Sequence, residues 1–113
     1  MGFIDSLRKA FNRPSTTVSV AEAQELLSSG ASLIDVRSTR EWRSGRAPQA
    51  RHMPLDRLQT STAGINRNKP VITVCASGVR SASAARLLTS QGYQAYSLRG
   101  GINAWRSAGE PVR

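Results

Sequence analysis

The sequence predicts an α/β domain, with a central, mostly parallel sheet of about five strands and helices on both faces. Three observations carry that prediction. Short apolar runs recur at 32–36 (SLIDV), 70–74 (PVITV) and 94–98 (QAYSL), each ahead of a segment with helical spacing. PVITV is β-branched and apolar, as expected of a strand covered on both faces. Helix starts carry capping boxes and helix ends carry glycines. Strands alternating with helices call for crossover connections, and those connections make neighbouring strands parallel.

Taken in order, residues 1–13 read as a short amphipathic helix, with Phe3, Ile4, Leu7 and Phe11 on one side and Arg8, Lys9 and Arg13 elsewhere. Pro14 and the Ser15-Thr16-Thr17 run read as a linker, dividing an N-terminal segment (1–16) from a domain at 17–113. From Val18 onward the alternation is clear. Ser19 and Glu22 have capping-box spacing ahead of Ala23, Leu26 and Leu27, and Gly30 stops that helix. After SLIDV, Ser38 and Glu41 form a second capping box that opens a short helix through Trp42. His52 to Pro54 reads as a short extended piece. PVITV leads to a helix over Ser81–Gln91, which offers Ala84, Ala85, Leu87 and Leu88 for packing and stops at Gly92. QAYSL leads through Gly100-Gly101 to a last helix over Ile102–Ala108.

At 113 residues the chain is long enough to bury a core without disulfides or a structural metal. One cysteine and one histidine supply neither an internal disulfide nor a Cys/His zinc site. A lone thiol suits a reducing compartment. The first residues lack the uninterrupted apolar core of a secretory signal, and no stretch approaches the roughly 20 apolar residues of a membrane span. The expectation is a soluble cytoplasmic protein without metal or organic cofactor. The formal net charge of +9 comes from 16 Lys plus Arg against 7 Asp plus Glu, with five arginines from Arg37 to Arg51. Such a balance fits a solvated basic surface or attraction of small anions. Nucleic acid is not expected, because no aromatic residues interleave with the basic ones and no zinc-finger or RNA-binding motif is present. Residues 1–13 could rest on a membrane surface or a partner. The expectation is that the segment folds back on the domain or frays.

The single cysteine stands where an apolar strand ends and a small-residue helix begins, in PVITVCASGVRS (70–81). In parallel α/β sheets ligands bind beyond the carboxyl ends of the strands. The loop Ala76-Ser77-Gly78-Val79-Arg80-Ser81 can curl so that several N–H groups face the Cys75 sulfur, with the helix N-terminus behind them. Both effects favour a thiolate over a thiol. Gly78 tolerates the positive φ of a tight loop, and Arg80 adds a cation near the mouth. Together these suit a nucleophile that attacks an anionic substrate. The competing structural reading is a buried, inert cysteine at a strand end.

CASGVRS resembles the active loop of the rhodanese-like family. LIDVRSTREW is similar to its Asp-Val-Arg segment, and LRGGINAW followed by AGEPV resembles its C-terminal motif. The likeness runs over roughly residues 17–112. The family usually carries Glu-aromatic-x-x-Gly-His-Ile-Pro-Gly-Ala ahead of its third strand. Here EWRSGRAPQARHMPL keeps Glu41, Trp42, Gly45, Pro48 and Ala50 but places Arg46 where His is usual and Gln49 where Gly is usual. His52 is expected to be hydrogen-bonded scaffold.

The resemblance implies a three-layer rhodanese-like domain and a sulfurtransferase. Cys75 would take the outer sulfur of a small anionic donor such as thiosulfate as a persulfide and pass it to cyanide, a thiol or a protein acceptor. The backbone of Ala76, Ser77, Gly78, Val79, Arg80 and Ser81 would hold that sulfur, and the Arg80 side chain would attract the donor. Arg37 is a further candidate for anion binding. Its structural alternative is an ion pair with a carboxylate such as Glu41, beside an Asp35 that bonds nearby backbone. Ser81 is alternatively the helix N-cap. Trp42, Trp105 and Gly100-Gly101 read as packing and turn. Two rivals stand beside the enzyme: a persulfide carrier or docking module with little turnover of its own, and a Cys-loop phosphatase. The phosphatase is disfavoured because its loop has five residues between Cys and Arg, whereas four stand here, Ala76 to Val79.

Overall fold

The computed structural model describes residues 17–113. The amphipathic helix expected at 1–13 and most of its linker lie outside the described residues.

Five strands form one sheet: β1 (Thr17–Val18), β2 (Ser32–Asp35), β3 (Arg51–His52), β4 (Val71–Val74) and β5 (Ala95–Leu98). Their order is β1-β5-β4-β2-β3, and every pairing is parallel. The helices are α1 (Val20–Ser28), α2 (Thr39–Arg43), α3 (Leu55–Thr60), α4 (Val79–Ser90) and α5 (Gly101–Ser107).

β4 is the central strand, and all four of its residues are buried, which explains its β-branched, mostly apolar character. Its side chains alternate between two cores. Ile72 and Val74 pack with Ala23 and Leu26 of α1 and with Ile102 and Trp105 of α5. Val71 and Cys75 pack with Leu58 of α3 and with Ala84, Ala85 and Leu88 of α4. The molecule therefore has three layers, with Cys75 just past the carboxyl end of the central strand.

Both capping boxes form as the spacing predicts. Ser19 Oγ accepts the Glu22 N–H while Glu22 accepts the Ser19 N–H, and Ser38 and Glu41 do the same. α3 has no counterpart in the sequence reading. It is six residues long, lacks a side-chain cap and buries only Leu58, too little for a legible period. α4 starts at Val79, two residues before the expected Ser81. Gly78 caps it at φ +121°, so Ser81 lies inside the first turn and is not the N-cap. Trp42 is also not core. α2 buries none of its five residues, and Trp42 instead stacks on His52 (centroids 4.7 Å apart, planes 8° apart), with the Arg46 guanidinium 4.6 Å from its ring. Trp105 is packing, as expected: it is fully buried, and its Nε1–H donates to the Pro111 carbonyl at 2.9 Å.

Candidate active site

The loop after β4 turns its N–H groups toward the Cys75 sulfur because α5 takes its carbonyls. Ile102 N–H donates to the Cys75 carbonyl at 2.8 Å, and Asn103 N–H donates to the Ala76 carbonyl at 3.3 Å. In a trans peptide the N–H points opposite to the C=O. Drawing these two carbonyls toward α5 therefore swings the N–H groups of Ala76 and Ser77 the other way. Gly78 N–H then donates to Cys75 Sγ at 3.1 Å. This arrangement needs a glycine at position 101. Its φ is +58°, and a Cβ there would run into the Cys75 carbonyl oxygen and lie 2.6 Å from the carbonyl atoms of Ala76. Gly100-Gly101 is thus the backing of the active loop as well as a turn.

Cys75 is only 1% exposed. Burial pushes its thiol pKa up, but hydrogen bonds from the Ser81 hydroxyl and from the amides of Ser81, Gly78 and Ser77 outweigh burial, and the net direction is down. Ser81 Oγ lies 3.5 Å from Sγ, donates to the Gly78 carbonyl at 3.1 Å and meets Ser97 Oγ at 2.8 Å. The position of Ser81 inside the first turn of α4 aims its hydroxyl back at the sulfur.

Of the other residues expected at the site, Ser77 is exposed at the loop tip, and the Val79 side chain is 77% exposed, leaving only its backbone to face the loop. Arg80 is held by Glu41 through Nη1–Oε1 at 2.6 Å and Nη2–Oε2 at 2.8 Å. The Arg80 hydrogen bond is the main reason that the Glu41 carboxyl drops to about 2. Arg37 does not join the loop. It is 3% exposed, with Nε 3.0 Å and Nη2 2.8 Å from the two Asp35 oxygens and Nη2 2.6 Å from the Gly45 carbonyl. The Asp35 carboxylate and the Gly45 carbonyl together take its charge and three of its five N–H donors, and the carboxylate it meets is Asp35, not Glu41. His52 completes this scaffold, its Nε2 lying 2.8 Å from the Arg37 carbonyl oxygen. The two departures at 46 and 49 are accommodated. Arg46 packs on Trp42 and exchanges backbone hydrogen bonds with Arg113 at 2.8 Å in both directions, while Gln49 is exposed in a turn. Among the described residues no group of three or more His, Cys, Asp or Glu could hold a metal.

Sequence reasoning missed two parts of this site, the backing role of Gly101 and the presence of Ser97. The glycine doublet after a strand marked the first. A lone polar residue between Tyr96 and Leu98 marked the second.

The profile of the Rhodanese-like domain matches residues 19–108. The chain belongs to that family. Among its relatives is "Thiosulfate sulfurtransferase GlpE" of Pseudomonas savastanoi pv. phaseolicola, 36% identical over 87 residues that cover 76% of this chain and 82% of the relative. A rhodanese-related protein from Thermoplasma volcanium superposes with a TM-score of 0.79 at 28% identity, covering 86% of this chain and 96% of its own. A rhodanese homolog from the extremely thermophilic bacterium Thermus thermophilus gives 0.67 at 37% identity, over 78% and 98% of the two chains. The five-stranded parallel sheet is therefore that of a rhodanese-like domain.

Proposed function

We propose that this rhodanese-like domain is a thiosulfate sulfurtransferase that works through a persulfide on Cys75. The observation that carries the reading is the polar cradle around one buried sulfur: Gly78 N–H donates to Sγ at 3.1 Å and the Ser81 hydroxyl lies 3.5 Å away, with a thiol lowered in pKa as their consequence. The thiolate attacks the outer sulfur of thiosulfate. The Sγ–S bond forms as the donor's S–S bond breaks, and that electron pair leaves with sulfite. The amides of Ala76 to Ser81 stabilise the negative charge that the outer sulfur carries in thiosulfate and keeps in the persulfide. An acceptor nucleophile, cyanide or a thiol, then attacks that outer sulfur and Cys75 departs as thiolate, giving thiocyanate or a new persulfide. The cycle is ping-pong and uses one covalent intermediate.

Arg80 contributes a cation near the mouth, its charge partly offset by Glu41. Kinship to proteins named thiosulfate sulfurtransferase supports thiosulfate as donor. A single free cysteine supports a reducing compartment such as the cytoplasm. No helix among the described residues is long and apolar enough to cross a membrane.

Intact mass after incubation with thiosulfate tests the proposal. Wild type should gain one sulfur atom, about 32 Da, which cyanide then removes, and Cys75→Ser should gain nothing. No adduct on wild type from thiosulfate would overturn it. Transfer rates to a small thiol and to a protein thiol then separate a free-standing enzyme from a carrier.

A further inference from the structure

Ser97 is a buried hydroxyl that the sulfur transfer above does not use. It is 2% exposed and lies on β5 opposite Thr73 of β4, facing the first turn of α4. These two strand hydroxyls grip one residue. Thr73 Oγ1 donates to the Ser81 carbonyl at 2.7 Å, and Ser97 Oγ meets Ser81 Oγ at 2.8 Å.

Counting protons on Ser81 Oγ settles the direction of each bond. The oxygen has one hydrogen and two lone pairs, and it has three neighbours: the Gly78 carbonyl, Ser97 Oγ and Cys75 Sγ. A carbonyl only accepts. With Cys75 as a thiol, Ser81 therefore donates to Gly78 and accepts from both Cys75 and Ser97. When Cys75 ionises, its sulfur can only accept, so the Ser81 hydrogen turns to it. The Gly78 carbonyl keeps the Ala82 N–H at 3.0 Å, so nothing is left unpaired. In both states Ser97 is a donor to Ser81, and a donor that receives a hydrogen bond itself donates more strongly.

We infer that Ser97 is a positioning residue for the Cys75 thiolate: its buried hydroxyl, 2.8 Å from Ser81 Oγ, holds and polarises the hydroxyl that turns onto the sulfur. The inference rests on the sulfurtransferase reading only for its purpose, since the thiolate can be measured without any sulfur donor. The charged groups near this site are Arg80 of α4, its partner Glu41 of α2, and Asp35 at the end of β2 paired with Arg37 just beyond it, and none of them bonds the Ser97 hydroxyl.

The test is the pH profile of Cys75 alkylation by iodoacetamide in the full chain. For Ser97→Ala the midpoint should move up, and the rate on the acid side of the midpoint should fall about three- to tenfold, the worth of one hydrogen bond between neutral hydroxyls. Because Ala leaves a small void, Ser97→Thr and Ser97→Val form a second comparison, equal in volume and differing in the hydroxyl. Thr should keep the wild-type profile and Val should shift it. An unchanged profile in folded Ser97→Ala, or equal profiles in the Thr and Val variants, would overturn the inference. Failure of wild type to form a persulfide, with the alkylation shifts intact, would instead count against the sulfurtransferase reading alone.

Discussion

The guanidinium of Arg80 and the carboxylate of Glu41 meet at two points, 2.6 and 2.8 Å apart, and tie the first turn of α4 to α2. Glu41 also closes the Ser38 capping box, so one carboxylate both starts a helix and aims the cation beside the active loop. Glu41→Gln keeps the cap, since glutamine serves at that position, but removes the negative charge. The KM for thiosulfate should fall a few-fold in that variant, and the gain should shrink as salt screens it. An unchanged or higher KM at low ionic strength would show that Arg80 does not attract the donor.

The same pair has a pH signature. Glu41 is lowered from 4.5 to about 2 in the folded state, so its stabilisation is present above pH 4.5 and is lost as the pH falls from 4.5 to 2. Both side chains are about a third exposed, and solvent screening limits the effect to about 1 kcal/mol or less. Denaturant melts across that window should show a shallower acid loss for Glu41→Gln than for wild type.

Arg37 distinguishes scaffold from substrate binding. Arg37→Met leaves Asp35 buried without its counter-charge, and breaking a buried pair from one side costs about 3–5 kcal/mol. A large drop in unfolding midpoint, with a KM for thiosulfate close to wild type in the fraction that folds, is the expected result. A stable variant with a strongly raised KM would return Arg37 to the substrate.

Gly101→Ala should disable the loop without touching Cys75. The added Cβ meets the Cys75 and Ala76 carbonyls, and a φ of +58° strains any side chain. If those peptides rotate, the Ser77 N–H loses its aim at the sulfur. We expect kcat/KM to fall at least about a hundredfold, as for loss of one preorganised oxyanion donor, with Cys75 alkylation slowed in parallel. Full activity would mean that the α5 contact does not set the loop.

Thiolate formation should govern the rate with thiosulfate. The Cys75 pKa is lowered, because the donors from Ser81, Gly78 and Ser77 outweigh the opposing effect of burial. The rate should therefore rise with pH through a midpoint below that of an unperturbed thiol and then level off. Ser81→Ala removes the donor that does most to offset burial and should move this midpoint upward. A midpoint that stays put in Ser81→Ala would assign the lowering to the amides alone.

Local chemistry was sufficient for much of this protein. Capping boxes at Ser19–Glu22 and Ser38–Glu41, the β-branched VITV strand and the glycine stops each act within a few residues, so the order of the elements apart from α3, the parallel α/β class and the place of Cys75 past a strand end were legible in the sequence. What the sequence left open involves partners far apart in the chain. Arg80 and Glu41 are 39 residues apart, Ser81 and Ser97 are 16 apart, and Gly101 lies 25 positions beyond Ala76. Those neighbours are set by the strand order β1-β5-β4-β2-β3, which brings β5 and the start of α5 beside β4 and places α2 within reach of α4. Arg37 shows the same division at short range. The sequence reading paired it with a carboxylate such as Glu41, whereas burial against Gly45 selected Asp35, because there the guanidinium satisfies both a charge and a carbonyl away from water. Periodicity and caps report what a segment becomes, while the hydrogen bonds that tune a thiol depend on which segments lie side by side.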